Sequence, residues 1–118
     1  MKSPLLLAFF LTFAAAASGP TLQELVRIAV MDLTKYYHEE YALRNFSLEL
    51  VDYNKEDDSY TLEIIVGSTE CRVEEATPED YDNCKFAVEE YPFSKCTVKL
   101  LNFGTQGYRL RSASCSAM

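Results

Sequence analysis

The chain has 118 residues, 48% of them hydrophobic, and its 18 acidic residues outnumber 11 basic ones to give a net charge of −7. This length predicts one small domain with a modest core. The negative charge argues against nucleic acid and anionic membranes as partners, because both bind basic surfaces, and it is compatible with a basic protein or peptide.

The first 18 residues have the pattern of a secretory signal peptide. Lys2 supplies a positive start, residues 5–13 are apolar apart from one threonine, and the small residues that follow allow cleavage after Ala17 or Ser18. The apolar run is too short for a membrane-spanning helix. We therefore expect residues 1–18 to be a signal peptide and residues 19–118 to form a secreted, extracellular domain with a net charge of −8.

The first predicted element of that domain is a helix, which begins at a capping box. Thr21 is the N-cap, and Glu24 is the third helical residue. The helix runs to about Tyr37 without Gly or Pro, and its apolar face must be covered by the rest of the chain. The residues of this face are Leu22, Leu25, Val26, Ala29, Leu33 and Tyr36 or Tyr37.

Two alternating segments after the helix predict an antiparallel hairpin. Residues 41–51 form its first strand, and residues 60–69 form its second strand. The core-facing residues are predicted to be Phe46, Leu48, Leu50, Leu62, Ile64 and Val66. The solvent-facing ones are predicted to be Asn45, Ser47, Glu49, Thr61 and Glu63.

Asn45-Phe46-Ser47 is an N-glycosylation sequon within the first of these strands. The alternation turns Asn45 and Ser47 towards solvent. We therefore expect that a glycan on Asn45 can be accommodated, which would make the protein a glycoprotein.

All four cysteines lie in the C-terminal half of the chain, at Cys71, Cys84, Cys96 and Cys115. Four cysteines allow three pairings, and we favour the sequential one because it closes the shortest loops. No CxxC or His-rich spacing is present, so the cysteines are interpreted as disulfides. No metal or cofactor is expected.

The C-terminal half also contains a second predicted hairpin. Residues 72–83 are acidic and predict a loop, whereas residues 84–95 give no regular prediction because they include Pro92. Residues 96–103 and 108–115 predict the last two strands. Val98, Leu100, Tyr108 and Leu110 are expected to face the helix, with Lys99, Arg109 and Arg111 facing solvent. The predicted fold is α+β, with one N-terminal helix packed on an antiparallel sheet of four to five strands.

This order of elements, with four cysteines in the C-terminal half, resembles the cystatin superfamily over essentially all of residues 19–118. The strongest local similarity is Tyr60-Thr61-Leu62-Glu63-Ile64-Ile65-Val66-Gly67-Ser68-Thr69-Glu70-Cys71, which looks like the strand before the first cysteine of secreted cystatins. The resemblance implies a sheet that wraps around the helix. It also implies disulfides Cys71–Cys84 and Cys96–Cys115.

Inhibitory cystatins insert three pieces into the cleft of a papain-like protease: an N-terminal segment with a Gly, a first hairpin with Gln-x-Val-x-Gly, and a second hairpin with Pro-Trp. The resemblance places these pieces at Gly19, at Asn54-Lys55-Glu56-Asp57-Asp58-Ser59, and at Asn102-Phe103-Gly104-Thr105-Gln106-Gly107. Both hairpin motifs are missing, and the chain has no Trp.

The chain therefore looks more similar to the non-inhibitory, cathelin-like and cystatin-like branches. From the missing loop motifs and the charge of −8 we expect a protein- or peptide-binding module with weak or absent cysteine-protease inhibition, and we expect it to be a monomer. Two alternatives remain open. One is a functional inhibitor of papain-like cysteine proteases, and the other is a cathelin-like host-defence precursor domain that lacks its cationic peptide.

Groups suited to catalysis are scarce, and we expect no enzymatic activity. His38 is the single histidine, and the predicted disulfides remove the cysteines as nucleophiles. An acidic series around the first turn partly matches calcium-loop spacing, but it lacks the required Gly and flanking helices. That series is Asp52, Asn54, Glu56, Asp58 and Glu63.

Overall fold

The computed structural model describes residues 19–87 and 93–118, so the predicted signal peptide and Pro92 lie outside the described residues. In those ranges the chain forms helix α1 (Leu22–Tyr36) and strands β1 (Tyr41–Asn54), β2 (Ser59–Arg72), β3 (Ser94–Asn102) and β4 (Tyr108–Ala117). The strands form one antiparallel sheet in the order β1-β2-β3-β4, and α1 packs on it. The predicted α+β arrangement is confirmed, and it matches the cystatin-like description.

Helix α1 begins where the sequence predicts. The Thr21 hydroxyl accepts a hydrogen bond from the Glu24 N–H at 3.1 Å, and the Glu24 carboxylate accepts one from the Thr21 N–H at 2.8 Å. Both free amides are thereby satisfied. The helix ends before His38, whose φ of 54° is left-handed and does not continue a helix. None of the described helices has the length and apolar character needed to cross a bilayer.

The core lies between the central turns of α1 and one face of the sheet. The helix contributes Leu25, Ala29, Val30 and Leu33, and the sheet contributes Leu62, Ile64, Val66, Val98 and Leu100, all buried. Each fully buried leucine or valine contributes about 1.5–3 kcal/mol. The predicted members Leu22, Tyr36 and Tyr37 are instead about half exposed, because they lie at the ends of the helix.

Strand β1 departs from the predicted alternation. Its pairing with β2 shifts register between Asn45 and Ser47 and again between Leu48 and Leu50. Each irregularity changes which face the following side chains occupy. The predicted orientations were therefore wrong at Phe46, which is 59% exposed, and at Leu50, which is 47% exposed.

Phe46 instead joins an aromatic cluster with Phe86 and Phe93 on the sheet face away from α1. Its ring centroid lies 6.1 Å from that of Phe86 and 4.9 Å from that of Phe93. Gly67 lies beneath the cluster, and a Cβ added there would lie 2.5 Å from Phe93 Cε1. Because Gly67 has no side chain, the Phe93 ring can lie close to the backbone of β2 at this point.

Replacing Gly67 with alanine should therefore lower the free energy of unfolding by about 1–3 kcal/mol, because the added methyl overpacks the cluster. Urea denaturation measures the change. The same substitution in a Phe93→Ala background should cost less than half as much. An equal cost in the two backgrounds would show that the ring is not what excludes a side chain at Gly67.

The sequential disulfide pairing is confirmed. Cys71 is bonded to Cys84, and Cys96 is bonded to Cys115, its partner in the β3–β4 register. The first disulfide joins the end of β2 to the end of a 3-10 helix at Pro78–Asn83. That helix lies within the acidic stretch that was predicted to be only a loop.

Arg109 was predicted to face solvent, and this was wrong. Its guanidinium donates two hydrogen bonds to the buried Asp32 of α1, from Nε to Oδ2 at 2.9 Å and from Nη2 to Oδ1 at 2.6 Å. The Leu110 N–H donates a third to Asp32 Oδ2, at 3.0 Å. A register shift in the β3–β4 pairing at Lys99 and Leu100 lets Arg109 and Leu110 both reach the helix.

Candidate functional site

Two of the three pieces placed by the resemblance lie side by side. Because Ser59 pairs with Leu101 across β2 and β3, residues 54–59 and residues 102–107 meet at one end of the sheet. We call these two segments the hairpin edge. Gly19 is exposed, and a Cβ added to it would meet no atom within 4 Å, so it is not packed against the edge.

Asp58 holds the two hairpins together. Its Oδ1 accepts hydrogen bonds from the Tyr53 hydroxyl at 2.9 Å and from the Tyr108 hydroxyl at 2.6 Å. Its Oδ2 accepts a bond from Asn102 Nδ2 at 2.7 Å. Tyr53 belongs to the first hairpin, whereas Asn102 and Tyr108 belong to the second. One carboxylate therefore cross-links both loops, and bonds to a charged acceptor are among the stronger hydrogen bonds.

Local backbone geometry places this carboxylate. Asp58 has a left-handed φ of 52°, which aspartate tolerates better than most residues. In the second loop the left-handed positions are filled by Gly104 and Gly107, with φ of 73° and 74°. The Tyr60 ring lies between those of Tyr53 and Tyr108, at centroid distances of 4.7 and 5.2 Å, and keeps both phenols in place.

The three hydrogen bonds also set the acidity of the edge. The bonds from Tyr108, Asn102 and Tyr53 lower the pKa of Asp58, because they stabilise its charged form. Burial and the bond to Asp58 raise the pKa of Tyr108, whose phenol therefore stays protonated. Asp57 also has a lowered pKa, caused by hydrogen bonds from Ser59 and Lys99.

The lowered pKa of Asp58 predicts an acid transition at the edge. A carboxyl whose folded pKa lies below its unfolded value near 3.8 contributes stability above that value, and the contribution is lost as pH falls through the folded pKa. Carboxyl-carbon NMR should show Asp58 titrating below 3.8, with amides of residues 102–108 exchanging faster through the same transition. The change in protection of those amides, measured relative to their intrinsic exchange rates at each pH, should be absent in Asp58→Asn. Titration of Asp58 at its ordinary value would contradict the cross-link.

The surface chemistry of the edge combines carboxylates with aromatic rings. Glu56 and Asp57 are exposed on the first loop. Tyr53 and Phe103 are each 46% exposed beside them. Such a surface can contact aliphatic groups and attract cations. Within residues 19–87 and 93–118, no group of three or more His, Cys, Asp and Glu residues is placed to hold a metal ion.

The sequon does not have the exposure that the alternation predicted. Asn45 is only partly accessible, and its Oδ1 is buried without a hydrogen-bond partner among the described residues. It lines a groove of about 410 Å³ between α1, β1 and the 3-10 helix at Pro78–Asn83. The Ser47 hydroxyl donates to the Glu49 carboxylate. The solvent-facing orientation of Asn45 was therefore wrong, and the glycan stays a prediction.

The sequence analysis predicted only part of the hairpin edge. The resemblance identified both loops. Asp58 was singled out only as one of their residues and as part of a calcium-like series, and its contacts with Tyr53 and Tyr108 were missed. Asp58 and Tyr108 are 50 residues apart, so no local pattern indicates that their side chains meet.

Comparison with known proteins returns no family model that matches the chain and no curated protein that matches it significantly. The function is therefore inferred from the fold and from the geometry of the hairpin edge.

Proposed function

We propose that the protein is a binding module that uses the hairpin edge to hold a basic protein or peptide. The observation that carries this proposal is the cross-link at Asp58, which joins two loops into one surface through three hydrogen bonds. A surface fixed before binding loses less conformational entropy when it meets a partner.

Charge supports a basic partner. Residues 19–118 carry 18 acidic and 10 basic side chains, and on the first loop Glu56 is exposed beside Asp57, whose carboxylate pairs with Lys99. A negative surface accelerates association with a cationic partner and disfavours acidic ones. The exposed rings of Tyr53 and Phe103 add the apolar contact area that charge alone does not supply.

Inhibition of a papain-like protease is the second candidate, favoured by the side-by-side arrangement of the two loops. It is weaker because the tip of the first loop is Lys55-Glu56-Asp57-Asp58. Inserting such a tip into a narrow cleft would remove the exposed charges of Lys55 and Glu56 from water, and neither forms an ion pair with a described residue, so the insertion costs several kcal/mol. The neutral motifs of the inhibitory family are absent from both loops.

We infer that the domain works outside the cell. Two disulfides among the described residues are compatible with an oxidising compartment, and residues 1–18 have the composition of a signal peptide. Mass spectrometry of protein recovered from the medium of a secretory host tests this inference. The expected product begins at Ser18 or Gly19, and retention in the cell with residues 1–18 attached would contradict it.

Calorimetric titration with a peptide of alternating lysine and leucine tests the binding proposal. Binding should weaken at least about tenfold between low and high salt, because the exposed charges are screened. The double variant Glu56→Gln/Asp57→Asn should lose about tenfold in affinity. The matched control Glu74→Gln/Glu75→Gln changes net charge equally and should retain binding. Binding that ignores salt, or that both double variants weaken equally, would refute the edge as the site.

A further inference from the structure

A second concave site lies at the end of the sheet opposite the hairpin edge. Its volume is about 290 Å³, and it opens between the end of α1 and strands β1 to β4. Leu43, Val66 and the Cys96–Cys115 disulfide form apolar walls. Val66 pairs with Ser94 and Leu43 pairs with Ser68, so the cavity is many residues away from the loops at Ser59.

One carboxylate stands at this cavity. Glu39 lines it, and its carboxylate has no hydrogen bond or ion pair with any described residue. Partial burial raises the pKa of Glu39, because the charged form is less well hydrated there. The cavity also lies beside the C-terminal end of α1, where the aligned peptide dipoles favour positive charge. The carboxylate and the helix end therefore both attract a cation.

We propose that this cavity, the lysine pocket, takes a lysine side chain of a partner protein or peptide. The apolar walls contact the four methylenes of the lysine, and the ammonium pairs with the Glu39 carboxylate. Pairing with a cation offsets the cost of holding that carboxylate partly out of water. The proposal does not depend on the hairpin edge, since the two sites share no residue.

Lysine suits the pocket better than arginine. The side-chain oxygens of the residues that line the cavity are those of the Glu39 carboxylate and of the hydroxyls of Tyr37, Ser68 and Ser94. An ammonium has three donors that rotate to reach separate acceptors, whereas a guanidinium holds five donors in a rigid plane. One carboxylate and three separate hydroxyls suit the rotating donors of an ammonium better than a rigid planar fork.

Titration of the full domain with Nα-acetyl-lysine methylamide, followed by two-dimensional amide NMR, tests the proposal. Shifts are expected at Glu39, Leu43, Val66 and Cys96. The norleucine and arginine analogues should bind at least about tenfold more weakly. Glu39→Gln should weaken lysine binding by about tenfold or more, because it removes the charged acceptor and keeps the shape.

The control is Glu56→Gln, which changes net charge equally, lies on the hairpin edge and should leave lysine binding intact. Ser94→Leu, which fills the cavity without changing charge, should abolish the binding. Equal affinity for norleucine, equal affinity for arginine, full binding by Glu39→Gln, or shifts confined to the hairpin edge would each overturn the lysine pocket. Peptide binding that stays unchanged in the edge variants, while Glu39→Gln loses lysine binding, would refute the hairpin edge alone.

Discussion

Replacing Asp32 with alanine should lower the free energy of unfolding by about 2–3 kcal/mol. Asp32 is buried and accepts three hydrogen bonds, two from the Arg109 guanidinium and one from the Leu110 N–H. The substitution leaves that amide without its acceptor and the guanidinium without its counter-charge. The cost stays below that of a fully buried pair, because the Arg109 side chain is 37% exposed and water compensates in part.

Chemical denaturation monitored by circular dichroism measures this change. Asp32→Asn keeps an acceptor of the same shape and should lose about half as much. The exposed Asp52→Ala, which removes the same kind of charge, should change stability by less than about 0.5 kcal/mol. If Asp32→Ala is no more destabilising than Asp52→Ala, the link between α1 and β4 contributes nothing to the fold.

Removal of either disulfide is the other change with a large expected effect. The two bonds close loops of 13 and 19 residues, and the chain-entropy model gives about 3 kcal/mol for each. Both cysteines of a pair are replaced with alanine to avoid a free thiol. Loss of Cys71–Cys84 releases the segment with the 3-10 helix, whereas loss of Cys96–Cys115 leaves strands that other register pairs still hold.

Urea denaturation and amide hydrogen exchange separate these outcomes. Both double variants should lose about 2–4 kcal/mol. Faster exchange in residues 73–87 is expected only for the variant without Cys71–Cys84, and β3 and β4 should stay protected in both. If the free energy of unfolding falls by less than about 1 kcal/mol in both variants, the disulfides do not stabilise the fold by restricting the unfolded chain.

The order of elements follows from local patterns. A capping box and a helical apolar face fixed the start and extent of α1, and Gly-rich or polar turns fixed both hairpins. Each of these signals acts within about one turn of chain, so a sequence read locally carries them. The disulfide pairing was predictable for a related reason, since sequential bonds connect elements that are already neighbours.

The contacts that the sequence analysis missed lie where a strand departs from regular alternation. The irregularities in β1 turn Phe46 and Leu50 outward, and one in the β3–β4 pairing brings Arg109 to Asp32 across 77 residues. Alternation alone predicts that a charged residue on a strand faces solvent. For Arg109 this prediction fails because its partner, the buried Asp32, lies on α1. No local sequence pattern indicates that pairing.

Titration of papain with residues 19–118 tests the central claim most directly, because that claim is an acidic, fixed edge that does not enter a protease cleft. The rate of substrate hydrolysis should stay unchanged at micromolar excess of the domain. Tight stoichiometric inhibition at nanomolar concentration would contradict the account. It would mean that the loops joined by Asp58 act as a wedge.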